Sequence, residues 1–310
     1  MITVSVPDQA VADAVGHVGD GARVIVWDPA TADAPEAERE RITLACLAHR
    51  TGGRRVYGRL ADLPNLAAIQ IPSAGYEHAL PFLPDGVALC NARGVHDTRT
   101  AEMALLLTLA SQRALPQFID AQARATWEPY ETAPSLADTR VLVVGYGSIG
   151  TAIGARMRAC EAQVEGVARS ARTAPDGVTV HAAADLPALL PYFDVVVIVT
   201  PHDDSTHSLV DRAFLAAMPD GALLVNVGRG AVVDTDALLA ETSTGRLRAA
   251  LDVVDPEPLP DGHPLYTSPG VILTPHVAGF AQLTDRRYVD LVHRHIASFT
   301  AGEGPVNRVA

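Results

Sequence analysis

Three side chains suited to acid–base and anion-binding chemistry stand far apart in the chain. Arg229 lies in Asn226-Val-Gly-Arg229-Gly-Ala-Val-Val-Asp234, Glu257 in Asp255-Pro-Glu257-Pro-Leu259, and His276 in Thr274-Pro-His276-Val-Ala-Gly279. Arginine clamps a carboxylate or polarises a carbonyl, histidine exchanges a proton near neutral pH, and glutamate orients an imidazole and stabilises its charged form. Arg229 and His276 each directly follow an apolar run that reads as a buried strand, and Glu257 follows another by a few residues. In a doubly wound sheet, ligands bind at that carboxyl edge, so the three are expected in one crevice. A second motif, Gly145-Tyr-Gly147-Ser148-Ile149-Gly150, follows the apolar run Arg140–Val144 and opens a helical stretch, Ser148–Cys160. In that context Gly145 permits a tight turn, Gly147 lets backbone approach a pyrophosphate, and Gly150 lets helix and strand pack closely. Helix amides and dipole then favour phosphate, so the motif predicts a bound dinucleotide.

An NAD site normally carries an acid about 20 residues on, at the end of the second strand, for the ribose hydroxyls. Here Gln163–Val167 runs into Ala168-Arg169-Ser170-Ala171-Arg172. The acid is missing, and Arg169, Ser170 and Arg172 offer donors that suit a 2′-phosphate. The expected cofactor is therefore NADP(H), with NAD(H) possible. A plainer alternative stays open, in which Arg169 and Arg172 form a solvated basic turn and NAD is tolerated.

Positioning these groups requires alternating short apolar strands and helices, an α/β chain with mainly parallel sheets. Strands are expected at Ile2–Val6, Arg23–Trp27, Thr43–Ala48, Leu66–Ile71 and Val87–Leu89. Further on they are expected at Arg140–Gly145, Gln163–Val167, Asp194–Val199, Leu223–Val227, Ala249–Val253 and Val271–Thr274. Asp97 reads as the cap of a long helix, Thr98–Leu115, with an apolar interior of Met103, Leu105, Leu106, Leu107 and Leu109, broken by Pro116. Trp127–Asp138 reads as a loop, Asp234 as a helix cap, and Gln282–Thr300 as amphipathic, with Leu283, Val289, Val292 and Ile296 on one side. The expected fold is two doubly wound parallel-sheet domains. A Rossmann cofactor domain, 99–281, is inserted into a flavodoxin-like substrate domain, 1–98 plus 282–310. At about 150 residues per domain, 310 residues suit two.

Composition narrows the chemistry. Hydrophobic residues make up 48% and charged ones 19%, enough apolar content for packed cores. With 24 basic and 36 acidic residues the net charge is −12, which disfavours nucleic acid as a partner. All the basic residues are arginine. That excludes Schiff-base lysines, lysine general bases, P-loop lysines and the Tyr-x-x-x-Lys dehydrogenases. Cys46, Cys90 and Cys160 form no Cys-x-x-Cys pair, so disulfide, zinc-thiolate and thiol-redox chemistry are not expected. No apolar run reaches the roughly 20 residues of a membrane helix, and the first residues carry no export pattern, so no membrane is expected and the expected location is cytoplasmic. His202, Asp203, Asp204 and His207 mimic a metal cluster, but one short loop reads more simply as solvated polar residues. His293 and His295 point in two directions on a helix and are not a metal pair, and Glu36–Glu40 reads as a solvated helix face. No metal is expected.

The motif set, from about Leu66 to Gly279, resembles the D-isomer-specific 2-hydroxyacid dehydrogenase family, which includes phosphoglycerate dehydrogenase and the glyoxylate/hydroxypyruvate reductases. The resemblance implies that Arg229 binds substrate, that Glu257 partners His276, and that a small 2-oxo acid is reduced to the D-2-hydroxy acid in a cleft between the domains. It implies that Ile71-Pro-Ser73-Ala74-Gly75-Tyr76 is the loop whose amides hold the substrate carboxylate. It further implies that Asp252, Val227 and Gly228 border the nicotinamide, with Thr200, Arg229, His276 and Gly279 also beside the cofactor. Asn91–Val95 and Ala101-Glu102 match the crossover into the cofactor domain, and a homodimer is implied. Thr200-Pro201-His202-Asp203 departs from the family's commoner Pro-Leu-Thr run, and Val254 stands where an aromatic is common. Two relatives in fold remain as alternatives. Formate dehydrogenase pairs its histidine with glutamine, against which Glu257 argues, and redox-sensing corepressors keep the Arg–Glu–His set.

Overall fold

Runs such as Val141-Leu-Val-Val144 and Val195-Val-Val-Ile198 show no polar alternation, because a parallel strand covered by helices on both faces needs apolar residues at every position. In the computed structural model, residues 1–49, 52–130, 133–280 and 282–310 are described. Glu131 and Thr132, within the expected loop Trp127–Asp138, and residue 281, where the expected insertion ends, lie outside them. The chain divides into two compact units, Met1–His96 with Ala281–Ala310, and Asp97–Phe280. Both are α/β and doubly wound.

The first unit holds β1 (Ile2–Val6), β2 (Ala22–Val26), β3 (Ile42–Cys46), β4 (Ala68–Gln70) and β5 (Ala88–Cys90), in the flavodoxin-like order β2-β1-β3-β4-β5, all parallel. One face packs Val4, Val11 and Val15 with Leu291, Val292 and Ile296 of the helix Arg286–Thr300. The other packs Trp27, Tyr57 and Leu60. Asp285 caps Arg286–Thr300, and Gln282–Thr284 stand outside it. His295 lies on the buried face, whereas Val289 is only half-buried. The acidic stretch forms a four-residue helix, Glu36–Arg39, and Glu38 is ion-paired with Arg23 rather than simply solvated.

The second unit holds β6 (Arg140–Val144), β7 (Gln163–Ala168), β8 (Arg172–Thr173), β9 (Thr179–Ala182), β10 (Val195–Ile198), β11 (Leu223–Asn226), β12 (Arg248–Leu251) and β13 (Val271–Leu273). The order is β13-β12-β11-β10-β6-β7-β9-β8. All its pairings are parallel except β8 against β9. The direction of winding reverses at β6, the position where Rossmann folds bind dinucleotides.

The long helix departs from its expected form. It spans Asp97–Gln112, with Asp97 inside its first turn rather than capping it. Its buried stripe is Thr100, Ala101, Ala104, Leu107, Thr108 and Gln112, while Leu106 is exposed. Arg248 ends it early, donating to Ser111 O at 3.3 Å and to Gln112 Oε1 at 2.9 Å, a cation set against the helix C-terminus. Pro116 then opens a second helix, Leu115–Ala123, where its missing N–H costs nothing. The short strands β8 and β9 have no apolar run to announce them.

Candidate active site

Register builds one edge of the second sheet. Val144, Ile198, Asn226, Leu251 and Leu273 lie abreast, and Val167 is level with Val144. The loops after these residues therefore emerge side by side. They carry the glycine motif, Arg169, Thr200, Arg229, Asp252 and His276.

The glycine loop is held by Gly145 N and Tyr146 N, each donating to Val167 O at 2.9 Å. Gly145 has φ +106°, and a Cβ there would stand 2.8 Å from the Val199 carbonyl carbon. A Cβ at Gly150 would overlap the Gly145 carbonyl oxygen, whereas Gly147 faces open space. Ser148 starts the helix Ser148–Ala159, and its hydroxyl donates to the Asp97 carboxylate. The first amides of that helix, on Ser148, Ile149 and Gly150, have no intrahelical acceptor and suit a pyrophosphate. Next to this loop, Thr200 Oγ1 is buried with no hydrogen-bond partner, and a Cβ at Gly228 would stand 2.9 Å from the Thr200 carbonyl oxygen. An open glycine, free helix amides and an orphaned hydroxyl fit a dinucleotide. Ala168 ends β7, Arg169 and Ser170 are exposed, and Arg172 Nη2 donates to Tyr146 O at 2.7 Å.

Arg229 is delivered by a loop tied to its own strand. Asn226 Nδ2 donates to Arg229 O at 3.0 Å and Asn226 Oδ1 accepts from Gly228 N at 3.0 Å. Val227 is buried beneath, and Gly230 lies so close to Val254 that a Cβ would overlap the Val254 carbonyl. The Asn-x-x-Arg-Gly pattern thus has a steric and a hydrogen-bonding cause.

His276 Nδ1 stands 2.5 Å from Glu257 Oε1, and both side chains are partly open to solvent. The histidine has φ +53°, a left-handed conformation that costs a non-glycine residue about 1–3 kcal/mol. Asp252 holds it there. The Asp252 carbonyl accepts from His276 N at 2.8 Å. Its carboxylate, 2% exposed, accepts from Thr274 Oγ1 at 2.5 Å, Val277 N at 3.0 Å and Ala278 N at 2.9 Å. Gly279 follows this turn. Asp252 therefore seats the turn that carries His276, a role that neither spacing nor resemblance indicates. The Thr274-Pro-His signature carries the clue only in retrospect, through the hydroxyl of Thr274.

Among the described residues no group of three His, Cys, Asp or Glu side chains could hold a metal. His202 Nε2 lies 3.1 Å from His207 Nδ1 on an exposed loop. Asp203 there is spent on Ser205 and Thr206, hydrogen bonds that hold its carboxyl below the ordinary range. In the first unit, Ser73 Oγ donates to Gly75 O at 2.7 Å and Asn91 Nδ2 to Ala74 O at 2.7 Å, which shapes the Ser73–Gly75 loop after β4. Asn307 Nδ2 in turn donates to the carbonyls of Asn91 and Arg93. The Cys46 and Cys90 thiols are buried and pushed up to about 12, inert by desolvation. No helix among the described residues is long and apolar enough to cross a membrane.

The family model for the D-isomer specific 2-hydroxyacid dehydrogenase NAD-binding domain matches residues 105–278. A glyoxylate reductase of Thermofilum pendens is 30% identical over 291 residues, covering 90% of this chain and 84% of its own. A crystal structure of a D-isomer specific 2-hydroxyacid dehydrogenase from Xanthobacter autotrophicus Py2, in complex with NADPH and MES, superimposes with TM-score 0.85. That protein is 29% identical, and the match covers 100% of this chain and 98% of the other. An NADPH-dependent glyoxylate/hydroxypyruvate reductase from Sinorhizobium meliloti, in complex with NADP and sulfate, matches with TM-score 0.81 at 26% identity, covering 100% and 98%.

Proposed function

The chain belongs to the D-isomer specific 2-hydroxyacid dehydrogenase family, and from that premise we propose that it reduces a small 2-oxo acid to the D-2-hydroxy acid, with His276 as proton donor and NADP(H) as preferred cofactor. It is an oxidoreductase acting on CH–OH donors with a nicotinamide cofactor. The observation that carries the finer reading is the 2.5 Å contact between His276 Nδ1 and Glu257 Oε1. With Glu257 accepting from Nδ1, the imidazolium is stabilised and Nε2–H is left to protonate a carbonyl oxygen. Arg229 binds the substrate carboxylate and polarises the carbonyl, an attraction that grows as the alkoxide develops. A bound reduced nicotinamide supplies the hydride to the carbonyl carbon. Glutamate at position 257, where formate dehydrogenases carry glutamine, supports 2-oxo acid reduction over formate oxidation.

For the cofactor, Gly145, Gly147 and Ser148–Gly150 would hold the pyrophosphate, and Arg169, Ser170 and Arg172 the 2′-phosphate. Both solved relatives described above bind NADPH or NADP. A charge-assisted phosphate contact contributes about 1.5–3 kcal/mol, so one or two imply roughly ten- to a few-hundred-fold preference for NADPH. We further propose a cytoplasmic homodimer. Leu106, Leu115, Phe118, Ile119 and Trp127 each stand exposed on consecutive elements of the second unit, apolar surface that a second copy would cover; sedimentation measures this directly.

The test of function is NADPH oxidation, followed by absorbance, with glyoxylate, hydroxypyruvate and bulkier 2-oxo acids, and chiral analysis of the product. His276→Asn should lower kcat by at least about a hundredfold while NADPH still binds. Tight NADPH binding with no turnover of any 2-oxo acid would favour the corepressor reading instead.

A further inference from the structure

Arg172 can recognise a phosphate only if the backbone beneath its long side chain is fixed, since an unordered arginine spends much of any contact on lost rotamer freedom. It stands on β8, which meets its neighbour over two residues, Arg172 opposite Val180 and Thr173 opposite Thr179. So short an edge ribbon is not held by its ladder. Ala174 N donating to Val178 O and Gly177 N donating to Ala174 O, each at 2.9 Å, close the turn joining β8 to β9, and Asp176 ties that turn to the elements beside it. Asp176 Oδ2 accepts from Tyr146 Oη at 2.9 Å and from Arg158 Nη2 at 3.0 Å, and Asp176 O accepts from Arg158 Nη1 at 3.0 Å.

Tyr146 is the second residue of the glycine motif, 1% exposed. Its hydroxyl reaches the turn, and its carbonyl accepts from Arg172 Nη2 at 2.7 Å. The ring lies against two glycines, Gly166 inside β7 and Gly154 inside the following helix. A Cβ at Gly166 would stand 2.6 Å from the ring, and one at Gly154 would overlap the hydroxyl. Glycine inside a strand or a helix lowers stability, so both positions carry a cost whose return is room for this one ring. Burial and the nearby Asp176 raise the Tyr146 phenol well above its ordinary range, so it remains a donor throughout the working pH range.

We propose that Tyr146, Asp176 and Arg158 clamp the Arg172-bearing hairpin to the glycine loop and thereby set the discrimination between a dinucleotide with a 2′-phosphate and one without. The three act through Arg172 and are positioning residues. This inference rests on Arg172 as a 2′-phosphate ligand. NADH presents only hydroxyls at that position, so loosening the hairpin affects NADPH selectively.

Fluorescence titration gives dissociation constants of NADPH and NADH for the wild type and for Tyr146→Phe, Asp176→Asn, Arg172→Ala and the Tyr146→Phe/Arg172→Ala pair. Tyr146→Phe keeps the packed ring and so tests the hydroxyl with the core intact. Tyr146→Phe and Asp176→Asn should each weaken NADPH by about three- to tenfold and leave NADH within about twofold. The double variant should match Arg172→Ala alone, because both act along one path. If Arg172→Ala removes the preference while Tyr146→Phe and Asp176→Asn retain it, or weaken both cofactors equally, the clamp is refuted and the phosphate reading stands. If Arg172→Ala leaves the preference intact, the phosphate reading falls and the clamp with it.

Discussion

Acid should unfold the first unit through one histidine. His295, 0% exposed, places Nε2 2.7 Å from Gln70 Oε1 and accepts from Val306 N through Nδ1 at 3.4 Å. Both ring nitrogens are thus engaged in the neutral form, and protonating Nδ1 would break a bond and bury a charge. Burial, aided by the Arg294 charge, lowers its pKa from 6.5 to about 4. A folded pKa below the unfolded one means the unfolded chain takes up the proton first. The stability is therefore complete above about pH 6.5 and is lost as pH falls toward 4. The gap of 6.5 − 4 = 2.5 units, at about 1.36 kcal/mol each, amounts to about 3 kcal/mol, of which about 1.4 is gone by about pH 5.5. Trp27, 4% exposed in the core of that unit, reports its unfolding, and Trp127→Phe removes the other of the chain's two tryptophans. Urea midpoints from neutral pH to about pH 4.5 would be compared between this background and the same background carrying His295→Gln, whose side chain does not titrate. The stability advantage of His295 should shrink by about 2.4 kcal/mol across that range. An advantage that stays constant with pH would mean that His295 titrates as it does in the unfolded chain, and would refute the reasoning.

Three further outcomes concern the reaction. Glu257→Gln removes the charge facing His276 Nδ1, so kcat for reduction should fall about tenfold or more while NADPH still binds; an unchanged kcat removes Glu257 from the proton chemistry. Arg229→Lys keeps the charge but loses the planar fork, so KM for the 2-oxo acid should rise steeply and kcat fall; wild-type kinetics would make Arg229 structural. Ala168→Asp with Arg169→Ala should invert the cofactor preference by repelling the 2′-phosphate, and kcat/KM with both cofactors measures it.

Much of the fold was legible because parallel strands advertise themselves. Val141–Val144, Val195–Ile198 and Leu223–Val225 are unbroken apolar runs, and the expected strand limits there differ by a residue or two from those observed. The hairpin β8–β9 was not legible, because Arg172-Thr173 is exposed and carries no apolar pattern, while Asp176 in the turn between is bonded to Tyr146, 30 positions away. The long helix misled for a related reason. Large leucines suggest the buried face, yet close packing of the Asp97–Gln112 helix selects Ala101 and Ala104 and leaves Leu106 outside. Its end is set by Arg248, a residue 136 positions away from the Gln112 it holds.

The site divides along the same line. The side chains proposed for the chemistry stand in short motifs, so Arg229, Glu257 and His276 could be singled out from type and spacing. The groups that hold them are backbone atoms and distant partners. Asn226 closes the loop under Arg229, and Asp252 seats the turn that forces His276 into a left-handed conformation. Resemblance had assigned Asp252 to the nicotinamide. A carboxylate offers about four acceptor positions, and the turn occupies three, with one bond on Oδ2 and two on Oδ1. One position therefore remains for a cofactor amide. Under the proposed function, the same aspartate both positions His276 and meets the nicotinamide, which would tie proton delivery and cofactor placement to a single buried carboxylate.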